Sequence, residues 1–342
     1  MSEHVQTRPS LNLLTDIPGL RVGHCTDLAL ASGVTCVIFD QPATASISIL
    51  GGGPGGRDTA LLEPGMSVEQ IDALVLSGGS AFGLDAAGGV QSWLRDQGRG
   101  FSVGGMRVPL APQAILFDLL NGGDKNWGRM PPYWEFGRRA AESAAAGEFD
   151  LGSIGAGTGA TTATVKGGLG SASMRTGTGH WIAALVAVNA LGSPLIGDGP
   201  HFWAAPFETN GEFGRLGWPS TMPDAAQRPM LKGLSQPATT IGMVVTDAVL
   251  SKAQCKRLAI MAQDGLARAI LPAHAALDGD TIFAVATAAR PLKDPLLDLT
   301  ILGHAATMTM ARAIARGIYE ATSLPQSNAQ PAWRDRFKSA QN

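Results

Sequence analysis

The chain has 342 residues, a formal net charge of −2 and an apolar fraction of 45%, which is the composition of a globular protein with a sizeable core. The charge balance argues against a nucleic-acid-binding surface, which needs clustered lysine and arginine. Its three cysteines, Cys25, Cys36 and Cys255, show no CxxC spacing. They exclude a disulfide scaffold and a cysteine-rich zinc site, and they fit a reducing compartment.

No segment resembles an export signal or a membrane span. The first ten residues, MSEHVQTRPS, are polar. The most apolar uncharged run, 181–197, contains Asn189, two glycines and Pro194, and it is shorter than the ~20 apolar residues that a spanning helix needs. We therefore expect a cytoplasmic protein without membrane contacts.

Short apolar runs bounded by turn residues predict buried strands. In chain order, these runs are 34–40, 46–50, 73–78, 182–190, 240–246 and 281–287. Longer segments with helical spacing are 83–97, 133–147, 251–270 and 302–322, and Ser251 is the expected N-cap of the third. Because strands and helices interleave without a 20–50-residue repeat, we predict one α/β domain over 1–322.

Two polar stretches complete the predicted organisation. Residues 223–238 contain three prolines and precede a strongly apolar strand, so we expect a long exposed connection there. The C-terminal segment 323–342 is polar and is expected to be a frayed tail.

Glycine is the compositional outlier, with 44 residues in the chain. The glycine-rich stretches 51–56 and 155–168 raise the question of phosphate binding, but neither has the pattern of a P-loop or of a dinucleotide-binding turn. For 155–168, which contains Lys166, backbone that passes close to another segment is an equally good interpretation.

The junction around residues 238–248 is the most informative pattern. Thr239 and Thr240 open an apolar strand, as β-branched residues commonly do. The alternative is that cleavage between Ala238 and Thr239 makes Thr239 a new N-terminus. Its α-amine, with a reference pKa of ~7.7–8.0, would then be the base for its own hydroxyl. The pattern alone leaves both interpretations open.

Four other polar residues are candidates for chemistry. Asp278 and Asp280 form a D-G-D turn before a strand; they are either solvated or aimed together at an amine or a hydroxyl, and no further ligand lies near them at metal-binding spacing. Lys166 is either a surface cation or a buried stabiliser of negative charge. Asn189, within an apolar strand, is either a satisfied core amide or an oxyanion donor.

Seven motifs decide between these interpretations. They are LTDIPGLRVGH (14–24), GGGPGGRDTALLEP (51–64), LVLSGGSAFGLDAAGGVQSWL (74–94), VPLAPQAILFDL (108–119), SIGAGTGATTATVKGGLGSAS (153–173), ATTIGMVVTDA (238–248) and LDGDTIFAVAT (277–287). Together they resemble the self-cleaving peptidase family of β-peptidyl aminopeptidases, D-aminopeptidase/L-esterases and endo-type nylon-oligomer (6-aminohexanoate) hydrolases. The match runs over roughly residues 14–322.

The resemblance implies an α/β fold, an αββα sandwich that is N-terminal-nucleophile-like (the DmpA/ornithine acetyltransferase type). It implies an inactive precursor that cuts itself between Ala238 and Thr239. The products, an α chain of 1–238 and a β chain of 239–342, stay together as an αβ heterodimer, and relatives assemble such units into homo-oligomers.

The same resemblance assigns expected roles. Thr239 matches the family's nucleophile, with its α-amine as base, and Asn189 and Lys166 match the oxyanion asparagine and the site lysine. Asp278 and Asp280 match the D-G-D of the nylon-oligomer hydrolases and are expected to orient the α-amine and the hydroxyl. No metal or organic cofactor is expected.

Three departures from the family pattern qualify the expected specificity. Ala238 stands where relatives usually have Gly or Asn, and Phe117, expected at the substrate pocket, falls on a tyrosine of the characterised relatives. The acidic residue with which aminopeptidases bind the substrate amine has no clear counterpart.

The expected function is a self-processing, aminopeptidase-like hydrolase of small peptides, β-peptides or ω-amino-acid amides. An acyltransferase of the ornithine acetyltransferase type and an unprocessed, non-catalytic family member are the alternatives.

Overall fold

The computed structural model describes residues 10–233 and 237–338. The described strands are β1 (Leu20–Asp27), β2 (Ser32–Ile49), β3 (Gly56–Arg57), β4 (Gln70–Ser77), β5 (Phe101–Val103), β6 (Met106–Val108), β7 (Gln113–Ile115), β8 (Gly168–Arg175), β9 (Trp181–Asn189), β10 (Thr239–Ala248) and β11 (Thr281–Arg290). The described α-helices are α1 (Ala86–Asp96), α2 (Tyr133–Glu142), α3 (Lys252–Ala269), α4 (Pro295–Tyr319) and α5 (Trp333–Arg336).

Nine strands form one hydrogen-bonded sheet in the order β3-β7-β4-β2-β11-β10-β9-β8, with β1 also paired to β2. The long strand β2 joins its two halves. Its residues 34–38 pair with β4, whereas residues 44–49 pair with β11. The register against β4 shifts between Ile38 and Ala43, a stretch that includes Pro42, which has no N–H to donate to a ladder. β2 therefore carries the sheet from one layer of the molecule to the other.

Three apolar clusters define the layers. One lies between β8–β11 and the helices α3 and α4, a second lies between the two halves of the sheet, and a third lies between β1, β2 and β4 and the helices α1 and α2. Representative members are Val186, Val244, Leu258 and Met310 of the first, Leu74, Leu185, Met243 and Phe283 of the second, and Val75, Val90 and Phe136 of the third. The molecule is an αββα sandwich, which confirms the expected fold class.

The predicted elements are largely confirmed, with two informative differences. All four predicted helices form, and Ser251 caps α3 by accepting the Gln254 N–H in a capping box. The runs 34–40 and 46–50, predicted as two strands, are parts of the single strand β2. The longer strands β1 and β8 and the short strands β3, β5, β6 and β7 were not predicted.

Close helix packing explains why β8 is hard to recognise. Its sequence, GLGSASMR, is rich in small residues. A Cβ atom on Gly170 would lie 1.8 Å from the carbonyl oxygen of Ala313 in α4, so the helix backbone occupies the space of a side chain. The requirement for small residues removes the β-branched pattern that usually marks a strand.

The prediction of a frayed tail is wrong for residues 323–338. Trp333 is 1% exposed, its ring stacks on Phe202 at 5.6 Å between centroids, and its Nε1–H donates to the carbonyl of Pro200. Pro331 accepts the Lys166 N–H at 2.9 Å. A large buried aromatic side chain and hydrogen bonds to the rest of the fold thus dock this otherwise polar segment. Residues 339–342 lie outside the described part of the chain.

We expect the Trp333→Ala substitution to lower the free energy of unfolding by about 3–5 kcal/mol, the usual cost of truncating a buried aromatic side chain. Chemical denaturation of the purified protein measures it. Trp134→Ala is the matched control, because Trp134 is 43% exposed and its loss is expected to cost less than about 1 kcal/mol. Equal effects of the two substitutions would show that burial of the Trp333 side chain adds nothing to stability.

Candidate active site

The candidate nucleophile opens a central strand. Thr239 is the first residue of β10 and is 4% exposed. Its register partner on the antiparallel neighbour β9 is Asn189. Because side chains alternate along a strand, Thr239 shares the face of Ile241 and Met243, which point into the apolar layer between the two halves of the sheet. Both candidate side chains therefore lie on the inner face, at one end of two adjacent strands.

The peptide bond before Thr239 is held on both sides. The Thr239 hydroxyl donates to the carbonyl oxygen of Ala238 at 2.5 Å. The same oxygen accepts the backbone N–H of Gly279 at 3.0 Å, and the Ala238 N–H donates to Leu277 at 3.3 Å. The predicted cleavage site thus has the hydroxyl beside the carbonyl and a main-chain donor on the carbonyl oxygen.

Gly279 makes a close approach that only glycine permits. A Cβ atom built on it would lie 2.8 Å from Thr239 Oγ1 and 2.8 Å from the carbonyl oxygen of Gly53. From the sequence, only the two carboxylates of the D-G-D turn were candidates for chemistry. The structure adds that its glycine contributes the N–H that faces the Ala238 carbonyl.

Asn189 is buried, and three partners orient its amide. Oδ1 accepts from Lys232 Nζ at 2.7 Å and from the Thr161 N–H at 3.0 Å. Nδ2 donates to the carbonyl oxygen of Phe117 at 3.0 Å. One Nδ2 hydrogen is used in this contact, and the amide has a second.

The two aspartates contact the residues around the candidate nucleophile. Asp280 accepts the N–H of Thr240 at 3.0 Å on Oδ1, and Oδ2 accepts both the N–H and Nδ1 of His274 at 2.9 Å. Asp278 accepts the N–H of Leu191 at 3.3 Å. Among the described contacts, neither carboxylate is hydrogen-bonded to the Thr239 hydroxyl in this uncut chain.

Burial and charge perturb the acidic pair and its histidine. Burial raises the pKa of Asp278 well above its usual range, and the neighbouring Asp280 carboxylate adds to the effect. Burial lowers the pKa of His274, but the hydrogen bond and the charge of Asp280 outweigh this and raise it overall. Asp278 and His274 therefore both hold a proton to a higher pH than the free side chains do.

Lys166 is a buried lysine rather than a surface cation. It is 1% exposed, and Nζ donates to the carbonyl oxygens of Gly157 and Gly167 at 3.0 and 2.8 Å. Burial lowers its pKa to about 7, the Lys232 charge acts in the same direction, and Asp118 opposes both. Within the described residues, no hydrogen bond joins Lys166 to Thr239.

Lys232 was not among the residues predicted for the site. The connection predicted to be exposed is largely so over 223–231, but Lys232 turns inward and is 9% exposed. Its Nζ contacts Asn189 Oδ1 and the carbonyl oxygen of Thr161, and burial lowers its pKa to about 7. The available signal was its apolar setting, M-L-K-G-L, within a polar stretch.

A cavity of about 290 Å³ opens beside the Asn189–Lys232 contact. Its lining is mainly polar, and Phe117, the predicted pocket residue, is part of it. The docked C-terminal segment supplies Asn328 and Gln330, and Gln330 also exchanges two hydrogen bonds with the backbone of Thr162. The C-terminal segment thus forms one wall of the cavity.

Over residues 10–233 and 237–338, no group of three or more His, Cys, Asp and Glu side chains is arranged to hold a metal ion. No helix in this described part of the chain has both the length and the apolar character needed to cross a membrane.

Known proteins are similar in sequence to this chain over most of its length. The profile of peptidase family S58 matches residues 12–331. An uncharacterised aminopeptidase of Mycobacterium tuberculosis (strain H37Rv) is 38% identical over 356 residues, covering 96% of this chain and 99% of the relative. A 6-aminohexanoate-oligomer endohydrolase of Kocuria sp. is 28% identical over 279 residues, covering 80% of this chain and 74% of the relative.

Solved structures share the fold. A Burkholderia sp. β-aminopeptidase matches with a TM-score of 0.69 and 22% identity, covering 96% of this chain and 92% of its own. The L-aminopeptidase D-Ala-esterase/amidase of Ochrobactrum anthropi, described as a variant of the Ntn hydrolase fold, gives the same score and identity with 96% and 93% covered. Taken with the family profile, these matches show that the chain belongs to peptidase family S58 and is a hydrolase.

Proposed function

We propose that the chain cleaves itself between Ala238 and Thr239 and then uses Thr239 to hydrolyse amides of small peptides, β-peptides or ω-amino acids. The observation that carries the proposal is the geometry of the Ala238 carbonyl. This group has the Thr239 hydroxyl at 2.5 Å and the Gly279 N–H at 3.0 Å from its oxygen. A nucleophile and a donor for the developing oxyanion are the two parts that acyl transfer requires.

In the proposed self-cleavage, Thr239 Oγ1 attacks the Ala238 carbonyl carbon and the Gly279 N–H stabilises the oxyanion. The C–N bond then breaks, the Thr239 nitrogen takes the hydroxyl proton, and an ester links Ala238 to Oγ1. Water hydrolyses this ester to give the Ala238 carboxylate and to restore the Thr239 hydroxyl beside the α-amine freed in the previous step. The methyl side chain of Ala238 contributes no polar group, so these steps rely on the main-chain donor and on Thr239.

In the mature enzyme, the Thr239 α-amine accepts the hydroxyl proton as Oγ1 attacks the substrate amide, and it passes this proton to the leaving nitrogen as the C–N bond breaks. Water then hydrolyses the acyl ester on Oγ1, which releases the acid and restores the Thr239 hydroxyl. Asn189, the cross-strand neighbour of Thr239, donates its second Nδ2 hydrogen to the oxyanion. Asp280 and Asp278 hold the main chain beside Thr239 and orient the new amine, and Lys166 supplies positive potential. Phe117 lines the acyl pocket without the hydroxyl of the characterised relatives.

The proposed substrate class rests on two supports. Relatives are named as aminopeptidases and as 6-aminohexanoate-oligomer endohydrolases, so the shared chemistry is hydrolysis of an amide in a short, flexible chain. The cavity beside Asn189, about 290 Å³ with a polar lining, suits such a substrate better than an apolar one.

Sheet pairing supports a stable αβ heterodimer after cleavage. β10 and β11 would belong to the β chain, yet they pair with β9 and β2 of the α chain. We propose that these units assemble into homo-oligomers in the cytoplasm, the compartment that fits three free, buried cysteines.

Intact-mass spectrometry of the purified wild-type protein tests the proposal. We expect a β chain of roughly 10.7 kDa that begins at Thr239, its share of the 35.3-kDa total, and the corresponding α chain. The cleaved protein is then assayed on α-, β- and ω-amino-acid amides and, for the acyltransferase alternative, for acetyl transfer from acetylornithine. A single 35.3-kDa chain that persists on long incubation contradicts the mechanism.

Gly279→Ala is expected to slow self-cleavage by at least about tenfold. The added methyl group would displace the Thr239 hydroxyl or the Ala238 carbonyl, and the rate of acyl transfer falls steeply when the reacting groups are misplaced. The added Cβ would lie 2.8 Å from Thr239 Oγ1. Gly53→Ala is the matched control, since its Cβ would meet the Asp278 carbonyl oxygen at an ordinary 3.7 Å. The fraction of cleaved chain over time measures both. Cleavage of Gly279→Ala at the wild-type rate would show that the approach of residue 279 to Thr239 is unimportant.

A further inference from the structure

Lys232 lies in the site without a role in the mechanism proposed above. Its backbone N–H donates to the carbonyl oxygen of Leu191 at 2.8 Å, which seats the residue beside the end of β9. Its Nζ donates to Asn189 Oδ1 at 2.7 Å and to the Thr161 carbonyl oxygen at 3.2 Å. A lysine that is 9% exposed is costly to bury, and such residues are usually kept for a function.

The three partners of Asn189 permit a single orientation of its amide. The Thr161 N–H can only donate, as can Lys232 in its ammonium form, and both face Oδ1. The Phe117 carbonyl can only accept, and it faces Nδ2. A flipped amide would place NH2 against two donors and Oδ1 against an acceptor. In its ammonium form Lys232 supplies the one charged contact of the three, and charged donors form the stronger hydrogen bonds.

We propose that Lys232 is a positioning residue for Asn189. Its ammonium fixes the amide, so that one Nδ2 hydrogen binds the Phe117 carbonyl and the second is held for the oxyanion that forms at Thr239. The positive charge on Oδ1 also polarises the amide and makes the remaining N–H a stronger donor. This inference rests on the proposed function, in which Asn189 contacts the reacting carbonyl.

A competing role for Lys232 is direct substrate binding, because the residue also lines the cavity of about 290 Å³. The two roles affect different kinetic constants. Loss of a group that only positions an oxyanion donor lowers kcat, whereas loss of a group that binds the substrate equally in the ground and transition states raises KM. The charged neighbours Asp118, Asp278 and Lys166 are unchanged in all variants considered.

The test compares Lys232→Met with Lys232→Arg, with both constants normalised to the amount of cleaved β chain found by intact mass. Lys232→Met is expected to lower kcat by at least about tenfold and to leave KM within about threefold. Lys232→Arg keeps a charged donor, and the adjoining cavity gives it room, so kcat is expected to return to within about threefold of wild type.

Lys125→Met is the matched control. Lys125 is a second partly buried lysine whose charge acts on Asp118, but its Nζ binds the carbonyl oxygens of Leu30 and Ala31. It has no described contact with Asn189, so kcat is expected to stay within about twofold of wild type. Thermal melting of each variant checks its folding. If Lys232→Met fails to fold, Lys232→Gln, which keeps a neutral donor, takes its place with the same expectation.

A double-mutant cycle separates positioning from a direct role. If Lys232 acts through Asn189, Lys232→Met in an Asn189→Ala background is expected to change kcat by less than about twofold. Additive losses, a rise in KM at unchanged kcat, or complete failure of Lys232→Met to self-cleave would each overturn the proposal. A wild-type protein that neither cleaves nor hydrolyses amides would instead contradict the proposed function.

Discussion

The Thr239→Ala variant is expected to remain a single chain of 35.3 kDa and to lose amide hydrolysis by at least about 10³-fold, as for other covalent nucleophiles. The substitution removes the hydroxyl that lies 2.5 Å from the Ala238 carbonyl oxygen, so the first bond of self-cleavage cannot form. The same hydroxyl is the proposed attacking group in the mature enzyme. Both losses therefore have one cause.

Two neighbouring variants make this result specific. Thr239→Ser keeps a hydroxyl and is expected to cleave. Thr240→Val removes the adjacent hydroxyl, which is buried without a described hydrogen-bond partner, and is expected to cleave and to hydrolyse amides like wild type. Intact mass and an amide assay read out all three proteins. A cleaved and active Thr239→Ala protein, or an uncut Thr240→Val protein, would place the nucleophile elsewhere.

The sequence predicted those parts of the fold in which local pattern and tertiary packing agree. The strands β9, β10 and β11 were predicted correctly because both of their faces are buried, so their sequences are continuous runs of mainly apolar residues. β8 was missed because Gly168 and Gly170 lie against the backbone of α4, so packing demanded small residues where strand propensity favours large ones. The C-terminal segment was wrongly predicted to be frayed because its polar composition hides the few contacts that dock it, chief among them the buried side chain of Trp333.

Some residues of the candidate site were predicted from the sequence and others were not. The resemblance singled out Thr239, Asn189, Asp278 and Asp280, and the structure brings them to one end of β9, β10 and β11. The Gly279 N–H was not predictable, because a main-chain donor leaves no side-chain signal. Lys232 and His274 were missed because each comes from a connection, and nothing local specifies that Lys232 turns inward to Asn189 or that His274 contacts Asp280. In the connection 223–238, which carries Lys232, residues 234–236 lie outside the described part of the chain.

Burying Lys166 in the folded chain has an energetic cost that depends on pH. Burial lowers its pKa from 10.5 to about 7 in the folded chain. Between these two pH values the unfolded chain binds more protons than the folded chain, so the free energy of unfolding rises with pH across this window. At pH 7 the buried lysine costs on the order of 4 kcal/mol, since each pKa unit corresponds to about 1.4 kcal/mol. Such a cost is typical of groups retained for a function.

Lys166→Met is expected to remove this pH dependence and the activity together. The free energy of unfolding of the parent should rise by about 3 kcal/mol between pH 7 and pH 10, because its buried lysine no longer has to be deprotonated on folding. The variant lacks this lysine, so the amount by which it is more stable than the parent should fall by about 3 kcal/mol over the same range. Chemical denaturation in an uncut Thr239→Ala background measures this difference on a single chain. In the cleaved enzyme, loss of the positive potential that we propose Lys166 supplies is expected to lower kcat by at least about 10²-fold.

Lys256→Met is the control for both measurements. Lys256 forms a partly exposed ion pair with Glu63, with its side chain 29% exposed, so its replacement is expected to change stability by less than about 1 kcal/mol at either pH. A stability difference between Lys166→Met and its parent that stays constant from pH 7 to pH 10 would show that Lys166 titrates as an ordinary lysine. Because the lysine is enclosed by the carbonyl oxygens of Gly157 and Gly167, which solvate an ammonium less well than water does, we expect the pH-dependent result.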